Sequence, residues 1–209
     1  VQPKRELTFT EGARRAQIVK AAIETIAEVG YGGASFARIA KRAGLSSPGL
    51  ISYHFADKDE LIGEVVANVY GTGSEQIRLR ADHPMSSAAA LLAFVEGSVA
   101  FYDSHRVHMR ALVQIIHGYP QARERWVDRA NDAELDGIEQ VLTRGQRDGE
   151  FRDDFVPRVV AVLIRDQLSG ALQRLLTTPD LDVASYTREL VTFCRLAVEN
   201  RDTSRSSDV

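Results

Sequence analysis

The chain has 209 residues, 44% of them apolar and 26% charged, and a formal net charge of −3; this suits one medium domain, or a small domain fused to a larger one. A single cysteine, Cys194, excludes an intramolecular disulfide and by itself offers no zinc site. No apolar run approaches the ~20 residues of a membrane span, and the polar N-terminus is unlike a signal, so a soluble protein of the reducing cytoplasm is expected.

Residues 1–9 read as a short loose arm carrying Lys4 and Arg5. Thr10 is placed to cap a first helix with Glu11 in its opening turn, and Ile18, Ala22, Ile26 and Val29 form its apolar stripe. Gly30 ends that helix, and Tyr31-Gly32-Gly33-Ala34 connects it to the next. Ser35 then caps a short second helix, with Phe36, Ile39, Ala40 and Ala43 at helical spacing and Gly44 as the left-handed stop. After a tight turn, Ser46 or Ser47 is placed to cap a third helix with Pro48 in its first turn and Leu50, Ile51 and Phe55 facing inward.

This is helix-turn-helix grammar, although a helical hairpin inside a larger bundle gives a similar pattern. The third helix is short and polar. Ser46, Ser47, Ser52, Tyr53 and His54 form its outward side, with Arg38, Lys41 and Arg42 beside them and Lys58 just beyond. Such a face has little for a core and much for a DNA groove, where a helix presents its first turn to base edges while hydroxyls and cations hold phosphates. Residues 1–56 hold eight Lys/Arg against four Asp/Glu, +4 in a chain of −3, so the basic end coincides with the reading helix.

Asp57 is placed to cap a fourth helix whose Leu61, Ile62, Val65, Val66 and Val69 share one side. Gly71-Thr72-Gly73 is expected to interrupt or end it, since an interior glycine costs a helix ~1 kcal/mol. Beyond Pro84 the chain reads as further helices without a strand, spanning about 85–104, 107–117, 120–147, 156–177 and 183–200. Gly118-Tyr119-Pro120, Asp148-Gly149-Glu150 and Thr178-Pro179-Asp180 punctuate them. Gly149 suits a helix stop and Pro157 a first turn. The polar stretch 202–209 reads as a disordered tail.

The residues Ile39-Ala40, Ala43-Gly44-Leu45-Ser46, Gly49, Tyr53-His54-Phe55 and Lys58-Asp59-Glu60-Leu61 together resemble the DNA-binding signature of TetR-type (TetR/AcrR) transcriptional regulators. The motif resemblance covers about the first third of the chain. Two departures stand out: one extra residue between Gly44 and Gly49, and Ser52 where the family commonly has a tyrosine on phosphate. The resemblance implies an all-α chain with a three-helix DNA-binding head over residues 1–56 and a ligand-binding and dimerisation body over 57–201. It also implies that Ser46, Ser47, Pro48 and Gly49 enter the groove. Ser52, Tyr53 and His54 would then touch bases or phosphates, and Ser35, Arg38 and Lys58 the DNA backbone.

In the body, Val160, Leu163, Ile164, Leu168, Ala171, Leu172, Leu175 and Leu176 form one wide apolar face, and Leu190, Phe193, Cys194 and Ala197 another. Both are expected to meet symmetry mates in a four-helix homodimer interface, or else to form an internal hairpin. Phe94 and Phe101, seven apart, and Trp126 could line a cavity, with Arg110, Gln114, His117 and Arg165 as polar anchors; the same aromatics also suit a plain core. By resemblance this is where a small-molecule effector binds. His105 and His108 lack the Glu-x-x-His partners of a metal bundle, and no phosphate loop or serine elbow is present. The expected function is a ligand-responsive regulator without cofactor, most simply a repressor that binds a near-palindromic DNA operator as a dimer and is released by a small molecule. A regulator answering to a protein partner, or a helical enzyme, are the competing readings.

Overall fold

The computed structural model describes residues 9–80 and 85–200, so the arm bearing Lys4 and Arg5 and the 202–209 tail lie outside the described residues. Within these limits the chain is all-α, and an isolated bridge between Phe151 and Glu199 is its extended pairing. The helices are α1 (Phe9–Gly33), α2 (Phe36–Arg42), α3 (Gly49–His54), α4 (Lys58–Arg80), α5 (Ser87–Ser104), α6 (Arg106–Gly118), α7 (Asp128–Arg147), α8 (Pro157–Thr177) and α9 (Val183–Val198), with one π-helical turn at Arg123–Val127.

Local chemistry sets most boundaries. Gly30 takes φ +74° and breaks α1 before its last turn. Thr10 does not cap α1: the helix already includes Phe9, so Thr10 stands inside its first turn. Ser35 caps α2 by accepting from the Arg38 N–H. At the other end Gly44, at φ +65°, lets Leu45 N–H reach the Ala40 carbonyl at 2.9 Å and its own N–H reach Lys41 at 3.2 Å, the paired bonds of a Schellman stop. Asp57 caps α4 through the Glu60 N–H at 2.8 Å, and Glu60 in turn accepts from the Ala56 N–H at 2.7 Å.

Two expectations fail for identifiable reasons. The glycines at 71 and 73 do not interrupt α4, which runs unbroken to Arg80. Gly73 serves packing instead: a β-carbon there would sit 3.0 Å from the Phe101 ring. The segment 120–147 is not one helix, because the π turn precedes α7. Ala122 and Val127 are both buried. A wider turn places residues five apart on nearly the same side, which a regular α-helix does not.

The chain divides into two compact units. One contains the described residues through Tyr70 together with Val107–Val127. Its core holds Ile18, Ile26, Ile39, Ile51, Phe55, Leu61 and Ile115. The other contains Gly71–Arg106 and the described residues from Asp128 onward. Here α5 packs against α7, α8 and α9, around Leu91, Val95, Ile138, Leu142, Leu168 and Cys194. Glu150 ties the loop after α7 to the start of α5 by accepting from the Ser87 and Ala88 N–H groups at 3.0 Å each.

Candidate nucleic-acid interface

The helix-turn-helix is held from behind and open in front. Ile51 and Phe55 turn inward and are fully buried, whereas Ser46, Ser47, Pro48, Gly49 and Leu50 form an uninterrupted exposed run. Ser52 is exposed too, and Tyr53 is 75% exposed, its ring meeting His54 edge to face at 5.0 Å. A hydroxyl-rich surface of this kind, backed by a closed apolar layer, leaves its donors and acceptors to water or to a partner.

Three sequence expectations change here. Neither Ser46 nor Ser47 is the N-cap of α3; Pro48 occupies that position without a side-chain cap bond, and the Ser47 contribution is its carbonyl, which accepts from Leu50 N–H at 3.3 Å. The proline's fixed φ lets the turn enter the helix directly, so no hydroxyl is needed to set the geometry. Leu50 does not face inward but is 40% exposed, because Ile51 and Phe55 already fill the inner side. Lys58 is drawn into the protein: its ammonium donates to the Tyr31 carbonyl at 3.0 Å and lies 4.0 Å from the Tyr31 ring centre. Burial lowers its pKa, with Asp59 opposing that effect.

Other cations divide between scaffold and surface. Arg38 stays exposed while donating to the Gly33 carbonyl at 2.9 Å, and Ser35 beside it is the α2 cap. Arg42 pairs with Glu24 and Glu28 of α1. Lys20, Lys41 and Arg14 are exposed.

Sequence reasoning missed the residue that fastens the reading helix. Arg15 donates to the His54 carbonyl, bridges to Glu60 at 3.1 Å and Glu64 at 3.2 Å, and stacks its guanidinium 4.1 Å from the Phe55 ring centre. A cation at the end of α3 also suits the negative pole of that helix. Gln17 ties α1 to the end of α2: its amide donates to the Ala43 carbonyl at 2.6 Å, while its side-chain oxygen accepts from Arg14 at 2.7 Å. The only sequence signal was that Arg15 stands three residues before Ile18, at the edge of the buried stripe.

A second cluster joins α6 and the π turn to this unit. Tyr119 stacks on Tyr31 and tilts against Trp126, centroids 5.4 and 5.5 Å apart. The Tyr119 hydroxyl donates to Asp59 at 3.1 Å, and Arg125 pairs with the same carboxylate. Trp126 is packed close to Gly63, where a β-carbon would stand 3.0 Å from its indole nitrogen. Of the proposed polar anchors, Arg110, Gln114 and His117 are exposed on α6.

In the other unit Phe101 is buried and stacks on His105 at 4.6 Å, and Phe94 packs on the core. Arg165 is half-buried beside Glu134, whose pKa burial raises and Arg165 partly restrains. The expected dimer face needs correction. Ile164, Leu168, Ala171, Leu175, Leu190 and Cys194 are consumed by the core of their own unit, and Leu172 and Ala197 are half-buried. Of the residues expected on the two faces, Leu163 and Phe193 are exposed, at 54% and 58%. The apolar surface left open is Val156, Val159, Val162 and Leu163 at and along α8, with Phe193 and Leu196 on α9. The periodicity located both helices correctly, but α8 is apolar on two sides, and only packing decides which side α5 and α7 take.

No helix among the described residues is long and apolar enough to cross a membrane, and no group of three potential metal ligands occurs among them. Residues 18–65 match the family model described as bacterial regulatory proteins, tetR family. The chain is 31% identical over 167 residues to the HTH-type transcriptional regulator BetI of Cronobacter sakazakii, covering 78% of this chain and 77% of that one. Among solved structures, the fatty acid degradation regulator FadR from Bacillus halodurans has a similar fold, with a TM-score of 0.78 at 18% identity, covering 91% of this chain and 96% of that chain. FadR from Bacillus subtilis, solved in complex with stearoyl-CoA, gives 0.73 at 17% identity over 86% and 96% of the two chains.

Proposed function

Because the chain belongs to the TetR family of bacterial transcriptional regulators, DNA-binding proteins rather than enzymes, we propose that it is a dimeric repressor that sits on a near-palindromic operator and leaves it when a small molecule binds. The observation that carries this reading is the exposed run Ser46–Leu50 with Ser52 and Tyr53, mounted on buried Ile51 and Phe55. Pro48, Gly49 and the serines enter the major groove; Ser52, Tyr53 and His54 touch bases or phosphates; Ser35 and Arg38 hold the backbone. Lys58 reaches a phosphate only by leaving Tyr31, so its role is to steady the end of α1 until DNA competes for it.

One short reading helix contacts too few bases for specificity. Two, related by a two-fold and ~34–36 Å apart, read successive major-groove faces. The exposed apolar residues of α8 and α9 supply the surface for that pairing, since patches of this kind on a regulator mark association. In function, residues 1–56 are the DNA-binding head and 57–201 the ligand-binding and dimerisation body. Repression follows from position alone: a dimer on a promoter obstructs polymerase without a further partner surface. The working place is the cytoplasm, where the DNA is.

The effector is a small molecule taken up in the body, as the stearoyl-CoA complex of the similar FadR fold suggests. Phe94 and Phe101 offer apolar walls and Arg165 a polar anchor. Moving the population from 99:1 to 1:99 requires ~5.5 kcal/mol of differential affinity between the two states. Since Tyr119 and Arg125 are bonded to Asp59, displacement of α6 is transmitted to the start of α4 and to Tyr31.

The test is selection of duplexes from a random-sequence pool by the full chain, followed by binding titrations at several salt concentrations. A recovered inverted repeat, bound by two chains with affinity falling steeply as salt rises, is expected. Recovery of no preferred duplex refutes the reading.

A further inference from the structure

Leu50 is the side chain on the reading surface that the preceding assignment leaves unused. Within residues 35–61 the exposed large apolar or aromatic side chains are Leu50 and Tyr53. Leu50 is not among the buried core residues. The inner side of α3 is closed by Ile51 and Phe55, both buried, as are Ile18, Ile39 and Leu61 of the same unit. Gly49 before it adds no side chain to this surface, and a β-carbon there would meet the Ser47 hydroxyl at 3.6 Å. Leu50 is 40% exposed within the exposed run 46–50, so a base edge can reach it.

Chemistry narrows what that edge can be. The floor of the major groove presents hydrogen-bond donors and acceptors, with one apolar group among them, the C5 methyl of thymine. A leucine pressed against guanine O6 or N7 covers acceptors and returns no donor, which costs free energy. Pressed against a thymine methyl it removes apolar surface from water on both partners. The serines, Tyr53 and His54 around it can make polar contacts; Leu50 cannot.

We propose that Leu50 is a specificity-determining residue that reads a thymine in each operator half-site by packing on its C5 methyl in the major groove. The inference rests on the DNA-binding reading above and adds to it a residue and the base it selects. Loss of a methyl-sized contact corresponds to ~0.8 kcal/mol, about fourfold in affinity per half-site.

The experiment uses the full chain and duplexes it recovers from a random-sequence pool. Each thymine is replaced in turn by deoxyuridine, which keeps Watson–Crick pairing and removes just the methyl. For the wild type, deoxyuridine at one position is expected to weaken binding about fourfold when it is placed in one half-site and about fifteenfold when it is placed in both. Leu50→Ala should weaken binding to the thymine duplex by a similar factor and bind the thymine and deoxyuridine duplexes equally. Leu50→Met, which keeps an apolar tip, should restore the discrimination. Thermal melting of both variants reports that they are folded. If the wild type binds its duplex but senses no thymine methyl, or if Leu50→Ala discriminates as the wild type does, the inference is overturned while DNA binding stands. If no duplex is enriched at all, the DNA-binding reading fails and this inference with it.

Discussion

The rings of Tyr31 and Tyr119 stack with centroids 5.4 Å apart and planes 20° from parallel, joining the last turn of α1 to the end of α6. Gly118 makes that approach possible, because a β-carbon there would stand 2.8 Å from the Tyr31 β-carbon, which has no freedom to swing aside. Gly118→Ala is therefore expected to lose about 1–3 kcal/mol of stability, read from urea denaturation. It should also blunt the effect of any effector on DNA binding, by loosening α6 from the head. A variant as stable as wild type would show that the stack tolerates the extra carbon.

Tyr53 is 75% exposed and meets His54 edge to face at the surface. Tyr53→Ala should change stability by no more than ~0.5 kcal/mol, the usual range for surface sites, while weakening binding to the selected duplex at least tenfold. Anisotropy titration beside a melting curve separates the two effects. Unchanged DNA affinity would remove Tyr53 from the interface.

The two sides of α8 should respond oppositely to substitution. Leu168 is buried in the core, so Leu168→Ala should cost about 2–5 kcal/mol through the cavity it leaves. Leu163 and Phe193 are exposed, and the double change Leu163→Asp with Phe193→Asp should leave the fold intact but yield monomers in sedimentation. A persistent dimer would place the interface elsewhere.

Two backbone N–H groups, from Ala88 and Ser87, hold the Glu150 carboxylate below its ordinary pKa. A carboxylate with a depressed folded pKa adds stability that is present above its unfolded pKa and is lost as pH falls through the folded value. Acidification from the ordinary glutamate range downward should thus destabilise the start of α5. Glu150→Gln should flatten that part of a stability-against-pH curve, with equal slopes in the two proteins as the opposing result.

Burial pushes the Cys194 thiol up to about 11 and closes it off within the α5, α7, α8 and α9 core. Iodoacetamide should label it at neutral pH only as that unit opens, with a rate that rises in parallel with urea. Fast labelling of the native chain would contradict the packing.

Short-range chemistry was legible from the residues themselves. Ser35, Gly30, Gly44, Asp57, Gly149 and Pro157 mark turns and caps because each acts through its own backbone or that of a residue a few positions away, a range the sequence displays directly. The exposed serines before and within α3 were legible for the same reason: no apolar period claims them. What the sequence alone determined, then, was an all-α chain with a helix-turn-helix near its start.

Tertiary structure decided everything that depends on a distant partner. That Arg15 grips the end of α3, that Lys58 turns to Tyr31, and that Gly73 makes room for Phe101 instead of breaking α4 all follow from groups brought together across tens of residues. It also decided which apolar face of α8 is core and which is open. Periodicity reports that a side chain is apolar, but burial is settled by what packs against it, and the packing leaves Leu50 40% and Leu163 54% exposed.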